Sequence, residues 1–362
     1  MGIIYISSQE VTLIKRGEKM PKELNKRKKE ILQAIVEEYI QTAEPVSSGS
    51  LVENGRIDCS SATIRNEMAE LEKIGFLEKP HTSAGRIPSQ EGYRYYVDEL
   101  LRDDKITQKE MLYIKEKLET KVNNLEELTK IATTTLSEIT HYTTIAVGPN
   151  VNKHSIIDIK FVLLGSRMLM VIILTDSGIV RESIIKFDED IDQEQIDDLS
   201  MVFKNKLVGQ PLEKLNSPIE EFIVKEMKTG VNIIKKIIKE INKMLGNVSK
   251  LYLEGTNKAL DLPEFKKVDV AKSFLDVLDA KDLVADVLNT GIAKDINVYI
   301  GSESEREELK DFSIVTFNHL IEDKDIGTIG IIGPKRMDYS KIISVMKYIS
   351  KKLNDDFKNG KL

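Results

Sequence analysis

Apolar positions near the N-terminus fall at helical spacing. Ile31, Leu32, Ile35, Val36, Tyr39 and Ile40 predict a first helix of about five turns, led by the basic run Lys26–Lys29 and stopped at Glu44-Pro45. Ser47 or Ser48 can cap a short second helix through Leu51 and Val52. After a turn at Asn54-Gly55, Ser60 or Ser61 can cap a third helix, SATIRNEMAELEKIG, which Gly75 ends. Phe76–Lys79 and Ile87-Pro88 then flank the polar loop PHTSAGR, which predicts a hairpin. One more helix carries Tyr93, Tyr96, Val97, Leu100 and Leu101 on one face. Three helices and a hairpin in this order predict an N-terminal winged helix-turn-helix domain over residues 21–102.

Asp103-Asp104-Lys105 reads as a linker. Leu118, Val122, Leu125, Thr129, Ala132, Leu136 and Ile139 then alternate by four and three, predicting a long helix. Thr129 and Ala132 are weak seam positions, which favours packing on a sheet over a free coiled coil. Strand-like runs follow at Thr143–Gly148, Ile156–Leu164, Met168–Thr175 and Ile179–Phe187, the last two joined by an Asp176-Ser177-Gly178 turn. Acidic, helix-rich sequence begins at Asp188. Strands return at Ile296–Ile300, Ser313–His319 and Ile326–Gly333, and a helix runs from Tyr339 to about Phe357. Strands, helices, then strands again predict an α+β domain over 103–190 and 292–362, interrupted by an insertion at 191–291. Within the insertion, Ile234, Ile237, Ile238 and Ile241 form an apolar stripe under a lysine-rich face. The stripe is the strongest candidate for dimerisation; the competing expectation is that it packs inside its own domain.

Composition narrows the chemistry. The chain has 362 residues, 41% hydrophobic and 31% charged, with no run long and apolar enough to span a membrane. A single cysteine, Cys59, excludes an intramolecular disulfide framework and suits a reducing cytoplasm. With Asp58 beside it, Cys59 reads as a half-buried packing residue, not a redox switch. The 4 histidines show no ligand spacing, so neither a metal nor another cofactor is expected. Net charge is −6, which argues against indiscriminate coating of nucleic acid but leaves room for a localised reading surface. Residues 1–19 lack signal-peptide layout, and Arg16–Lys19 can be encoded by a ribosome-binding sequence. They are expected to be a start-site extension, with translation beginning at Met20.

The third helix offers the most informative surface. With Ile64, Met68 and Leu71 inward, Ala62, Thr63, Asn66 and Ala69 face out, with Arg65 and Glu70 on the flanks. Such a slim face fits a major groove, where Asn can pair with adenine and methyl groups can touch thymine. The candidate DNA-binding set is Ser60, Ser61, Ala62, Thr63, Arg65 and Asn66 on the helix, with His81, Thr82, Ser83, Gly85, Arg86 and, beyond the hairpin, Arg94 as phosphate contacts. Gly327, Gly330 and Gly333 have the wrong spacing for a nucleotide loop and read as a strand and turn. No nucleophile, base and orienting residue can be assembled, so an enzyme is not expected.

The segments ILQAIVEEYIQTA, EPVSSGSL, SSATIRNEMAELEKIGFLEKPHTSAGRIPSQEGYRYYVDELL, HYTTIAVGP and IGTIGIIGPKRMDYS closely resemble the heat-inducible transcription repressor family HrcA. The likeness covers essentially residues 21–357. It implies a homodimeric repressor that binds an inverted-repeat operator upstream of chaperone operons and releases it on heat shock. It also implies a GAF-like α+β domain interrupted by an inserted dimerising domain, and dependence on the chaperonin. Gly49 stands where members commonly carry Arg in the second helix, so the resemblance does not carry a phosphate contact over to this position. The alternative expectation is a winged-helix regulator whose α+β domain answers to a metabolite.

Overall fold

The computed structural model describes residues 23–80, 85–101, 106–119, 125–148, 155–176, 180–210, 231–246, 251–289, 296–321 and 324–358. The chain begins as a head. Helix α1 (Lys26–Thr42) is capped by the Asn25 side chain and buries Ile31, Leu32, Ile35 and Val36. Helix α2 (Ser48–Glu53) carries a capping box on Ser47. Helix α3 (Ser61–Lys73) is capped by Ser60 and buries Ile64, Met68 and Leu71. Gly75, at φ 94°, turns the chain out of it in a conformation a side chain would resist. Strands β1 (Leu77–Glu78) and β2 (Ile87–Pro88) pair antiparallel, and Val46 adds a third edge by exchanging backbone bonds with Arg86 at 2.9 and 2.8 Å. Helix α4 (Gln90–Tyr95) continues into a π-helical turn at Tyr96–Leu100. The expected order of three helices, hairpin and helix is present; the hairpin tip, residues 81–84, lies outside the described residues, as does the Asp103–Lys105 linker.

The expected long helix from Leu118 is two helices. α5 (Gln108–Leu118) opens with a Thr107–Glu110 capping box and ends where the long helix was to begin. α6 (Leu125–Thr140) carries the rest of the pattern.

Strands β3 (Thr143–Val147), β4 (Ile156–Gly165), β5 (Met168–Thr175) and β6 (Val180–Lys186) follow, then helices α7 (Gln193–Leu207) and α8 (Val231–Gly246) and strand β7 (Leu251–Glu254). After a single turn at Thr256–Ala259 come α9 (Val268–Asp279), α10 (Lys281–Asn289), β8 (Ile296–Ile300), β9 (Phe312–Ile321), β10 (Lys324–Pro334) and α11 (Tyr339–Lys358). The Gly330 segment is the interior of β10, as a strand reading requires. The body is a five-stranded sheet in the order β7-β3-β10-β9-β8, antiparallel throughout. One sheet face packs on α6 and α11, and its buried residues join the head's core in one continuous cluster. The other face packs on α9 and α10.

β4, β5 and β6 form a separate three-stranded sheet, covered on one face by α7 and α8 with a core of its own. This moves the expected domain boundaries. β4–β6 belong with the insertion, whereas β7, α9 and α10, assigned to the insertion by sequence, belong to the body. The pairing of Val147 with Leu251 explains why: the chain leaves the body sheet at the end of β3 and returns to the neighbouring position on β7. The Asp176–Gly178 turn falls partly outside the described residues, but β5 and β6 are paired antiparallel.

The dimerisation stripe is also corrected. Ile234 and Ile237 are 0% exposed, Ile241 3% and Ile238 7%, all within the insertion's own core. A three-stranded sheet with one face to cover takes the most apolar helix available, and α8 supplies it.

Candidate nucleic-acid interface

The surface of α3 follows from its caps and its buried side. Ser60 Oγ accepts from the Thr63 amide at 3.2 Å and lies 2.9 Å from the Thr63 hydroxyl, fixing the first turn. Ser61 Oγ lies 2.9 Å from Ser48 Oγ, tying the start of α3 to α2. The Ser60 side chain thus caps α3 and that of Ser61 ties it to α2, leaving both side chains engaged at the helix N-terminus. With Ile64, Met68 and Leu71 buried, Ala62, Arg65, Asn66 and Ala69 are exposed and Thr63 half-exposed along one edge.

That edge would meet repulsion at its C-terminal end, where Glu67 and Glu70 point the same way. Lys28 of α1 lies 3.1 Å from the Glu67 carboxylate and 2.7 Å from that of Glu70. Its hydrogen bonds hold the Glu70 carboxyl below the usual carboxylate range, and they raise the Lys28 ammonium above its ordinary value. Lys26 and Arg27 remain more exposed beside it, a basic edge next to α3.

The wing side differs from expectation. His81, Thr82 and Ser83 lie outside the described residues. A Cβ on Gly85 would stand 2.2 Å from the Val46 carbonyl oxygen, so this glycine serves the close approach of the wing to the segment before α2. Arg86 donates from Nε to Glu72 at 2.7 Å, anchoring the wing to α3. Arg94 is withdrawn altogether. Its side chain is 13% exposed, and it donates to Glu303, to the Val298 carbonyl at 2.7 Å and to Asp98 at 3.1 Å. Burial works against its charge, but the two carboxylates outweigh it and raise its pKa further. Arg94, expected at phosphate as an arginine beyond the hairpin, is instead held across to the body, whereas Gly85 and Arg86 carry structural contacts at the base of the wing. Cys59 is half-buried against the core, as expected of a packing residue.

Sequence reasoning missed the outer face of the β4–β5–β6 sheet. There Val162, Met170 and Ile184 form one cross-strand row, Lys160, Ile172 and Glu182 the next, and Asp158, Leu174 and Val180 the third. Ile184 is 50% exposed and Val180 55%. The available signal was β5 itself, MLMVIILT, apolar on both alternating faces and so fit to be covered on both.

A slim, nearly neutral helix edge on a winged helix, mounted on an α+β body, defines a DNA-binding transcription regulator. The comparisons agree and are more specific. The family model described as the HrcA protein C-terminal domain matches residues 126–343. The heat-inducible transcription repressor HrcA of Ruminiclostridium cellulolyticum is 41% identical over 92% of this chain and 97% of the relative. That of Acetivibrio thermocellus is 38% identical over 92% and 96%. A solved structure described as a hypothetical protein matches with a TM-score of 0.59 at 26% identity, over 93% of this chain and 99% of the other. The chain belongs to the HrcA family of heat-inducible transcription repressors. Its function is accordingly heat-responsive transcriptional repression rather than catalysis. No helix among the described residues is long and apolar enough to cross a membrane.

Proposed function

We propose that two copies of this chain bind an inverted-repeat operator upstream of chaperone operons, acting in the cytoplasm on the nucleoid, and release it on heat shock. The observation that carries the reading is the α3 edge: Ala62, Asn66 and Ala69 exposed and Thr63 half-exposed beside them, with the neighbouring Glu67 and Glu70 carboxylates ion-paired to Lys28. Such an edge enters a major groove without a bulky or repulsive side chain, and Asn66 stands where it can read adenine. Arg65, Lys26 and Arg27 supply phosphate contacts at its margins.

The outer face of the insertion sheet supports pairing with a second copy. A two-fold axis running along β5 would set Val162 against Ile184 and Lys160 against Glu182 of the second copy, and the reverse. The apolar Val162–Met170–Ile184 row meets its own copy, and Lys160 and Glu182 at the two sheet edges are complementary in charge, while Asp158 is paired with Lys204 of its own chain. The dependence on the chaperonin is carried from the family resemblance.

Footprinting of the chain folded in the presence of chaperonin, on the chaperone promoters of its own genome at growth and heat-shock temperatures, tests the reading. Protection of both arms of an inverted repeat at the lower temperature, lost at the higher, is expected. Protection that is absent or independent of sequence refutes it.

A further inference from the structure

The head meets the body through side chains that DNA binding does not use. Arg94 of α4 grips Glu303 of the body with two of its nitrogens, Nε at 2.9 Å from Oε1, and reaches the Val298 carbonyl on edge strand β8 at 2.7 Å. Asp98, one turn along its own helix, holds the remaining nitrogen at 3.1 Å. Glu303 is fixed in turn by the Ile300 amide at 2.9 Å. Beside this pair the Ser302 amide donates to Gln90 Oε1 at 3.2 Å.

A second arginine crosses the seam in the opposite direction. Arg336, between β10 and α11, is 8% exposed and pairs through Nε and a terminal nitrogen with Glu264. Its other terminal nitrogen donates to the Ile40 carbonyl, in the last turn of α1. The last carbonyls of a helix have no partner within it, and α1 has no basic residue in its last turn. The body supplies that cap. Between the two arginines the rings of Tyr93 and Tyr339 stand 6.0 Å apart, centroid to centroid. A guanidinium fork has one good geometry for a carboxylate: the Arg94 fork on Glu303 spans the seam, and the Arg336 fork on Glu264, within the body, aims the remaining nitrogen at the Ile40 carbonyl across it, so contacts at two separate points fix an angle as well as a contact.

We propose that Arg94 and Arg336 are positioning residues for operator binding: they set the angle of the head on the body and, through the dimer, the separation of the two reading helices. This rests on the reading above that two heads bind one inverted repeat. Half-sites on one DNA face sit about 34–36 Å apart, a helical turn, and tolerate little error in a rigid pair of heads. Heads freed from the body would still bind each half-site but would lose their preference for one spacing.

The test uses the full-length chain on duplexes carrying a lone half-site and on inverted repeats with the spacer lengthened or shortened by one, two or three base pairs. Wild-type protein should show a sharp optimum at the natural spacer. Arg94→Met with Arg336→Met keeps the aliphatic stems and leaves carboxylates that reach solvent, Glu303 and Glu264 being 20% and 25% exposed. It should bind the lone half-site like wild type, lose about tenfold at the natural spacer and show a flattened spacer profile. A wild-type spacer profile in this variant, or an equal loss on the lone half-site, overturns the proposal. Should the double variant fail to fold, Glu303→Gln, which keeps the shape of the seam, decides: partial flattening supports the proposal and an unchanged profile overturns it. Wild-type protein that binds no duplex overturns the operator reading itself, before any variant is compared.

Discussion

The seam between head and body and the outer face of the insertion sheet are opposite kinds of surface. The seam is filled: the head's core runs into the body's, and two arginines are bound on both sides of it. The sheet face is open, with Val162, Val180 and Ile184 between 41% and 55% exposed in the single chain. One surface already has its partner within the chain. The other has the composition of a surface whose partner is a second chain. Residue type alone points the wrong way at the seam, where an arginine near a wing suggests phosphate, and in the insertion, where the isoleucine stripe of α8 suggests a dimer but lies in the core behind the open sheet face.

The contrast is broken most strongly at α8. Ile237→Ala, inside the insertion, should cost roughly 2–5 kcal/mol of stability, read from the denaturant midpoint. Its folded fraction should sediment as wild type does. Ile184→Asp, on the open face, should leave stability near wild type but abolish dimers in sedimentation and weaken operator binding by about a hundredfold. If the two variants exchange phenotypes, the assignment of inside and outside is reversed.

A smaller effect probes the seam. The Tyr339 hydroxyl donates to the Lys335 carbonyl at 2.7 Å and lies 2.9 Å from Ser313 Oγ, fully buried beside Tyr93. Burial pushes its pKa well up, so it stays a neutral donor. Tyr339→Phe should lower stability by about 1–2 kcal/mol with an unchanged denaturant slope. The smallest effect is one of pH. Burial alone would raise the pKa of Glu110, but hydrogen bonds from Lys341 at 2.6 Å and from Thr107 bring it below the ordinary value. A carboxyl depressed on folding stabilises above its unfolded pKa of about 4.3, and that contribution disappears as pH falls through the folded value. Glu110→Gln should therefore be less stable than wild type at neutral pH by under about 1 kcal/mol, and the two should converge in acid. A difference that persists at low pH refutes the ion-pair account.

The head was legible because its signals are local. Of the two serines offered for each cap, the first, Ser47 and Ser60, caps the helix, and Ile64, Met68 and Leu71 are buried as their spacing requires. Its seam was not legible, because the partner of Arg94 lies 209 residues away in sequence. The insertion's limits were hidden for a related reason. β4–β6 look like a continuation of β3, and only the pairing of Val147 with Leu251 shows that the chain has left one sheet and come back. Periodicity identified the α8 stripe but not what covers it, since a stripe facing its own sheet and one facing a second chain read alike.

The central claim, that the α3 edge reads operator bases, is tested most directly by Asn66→Ala measured on operator and on random DNA at one salt concentration. A loss of roughly 1–3 kcal/mol on the operator with little change on random DNA is expected, whereas Arg65→Ala should weaken both and reduce the salt slope by about one per half-site. An equal loss on both DNAs for Asn66→Ala would contradict the account.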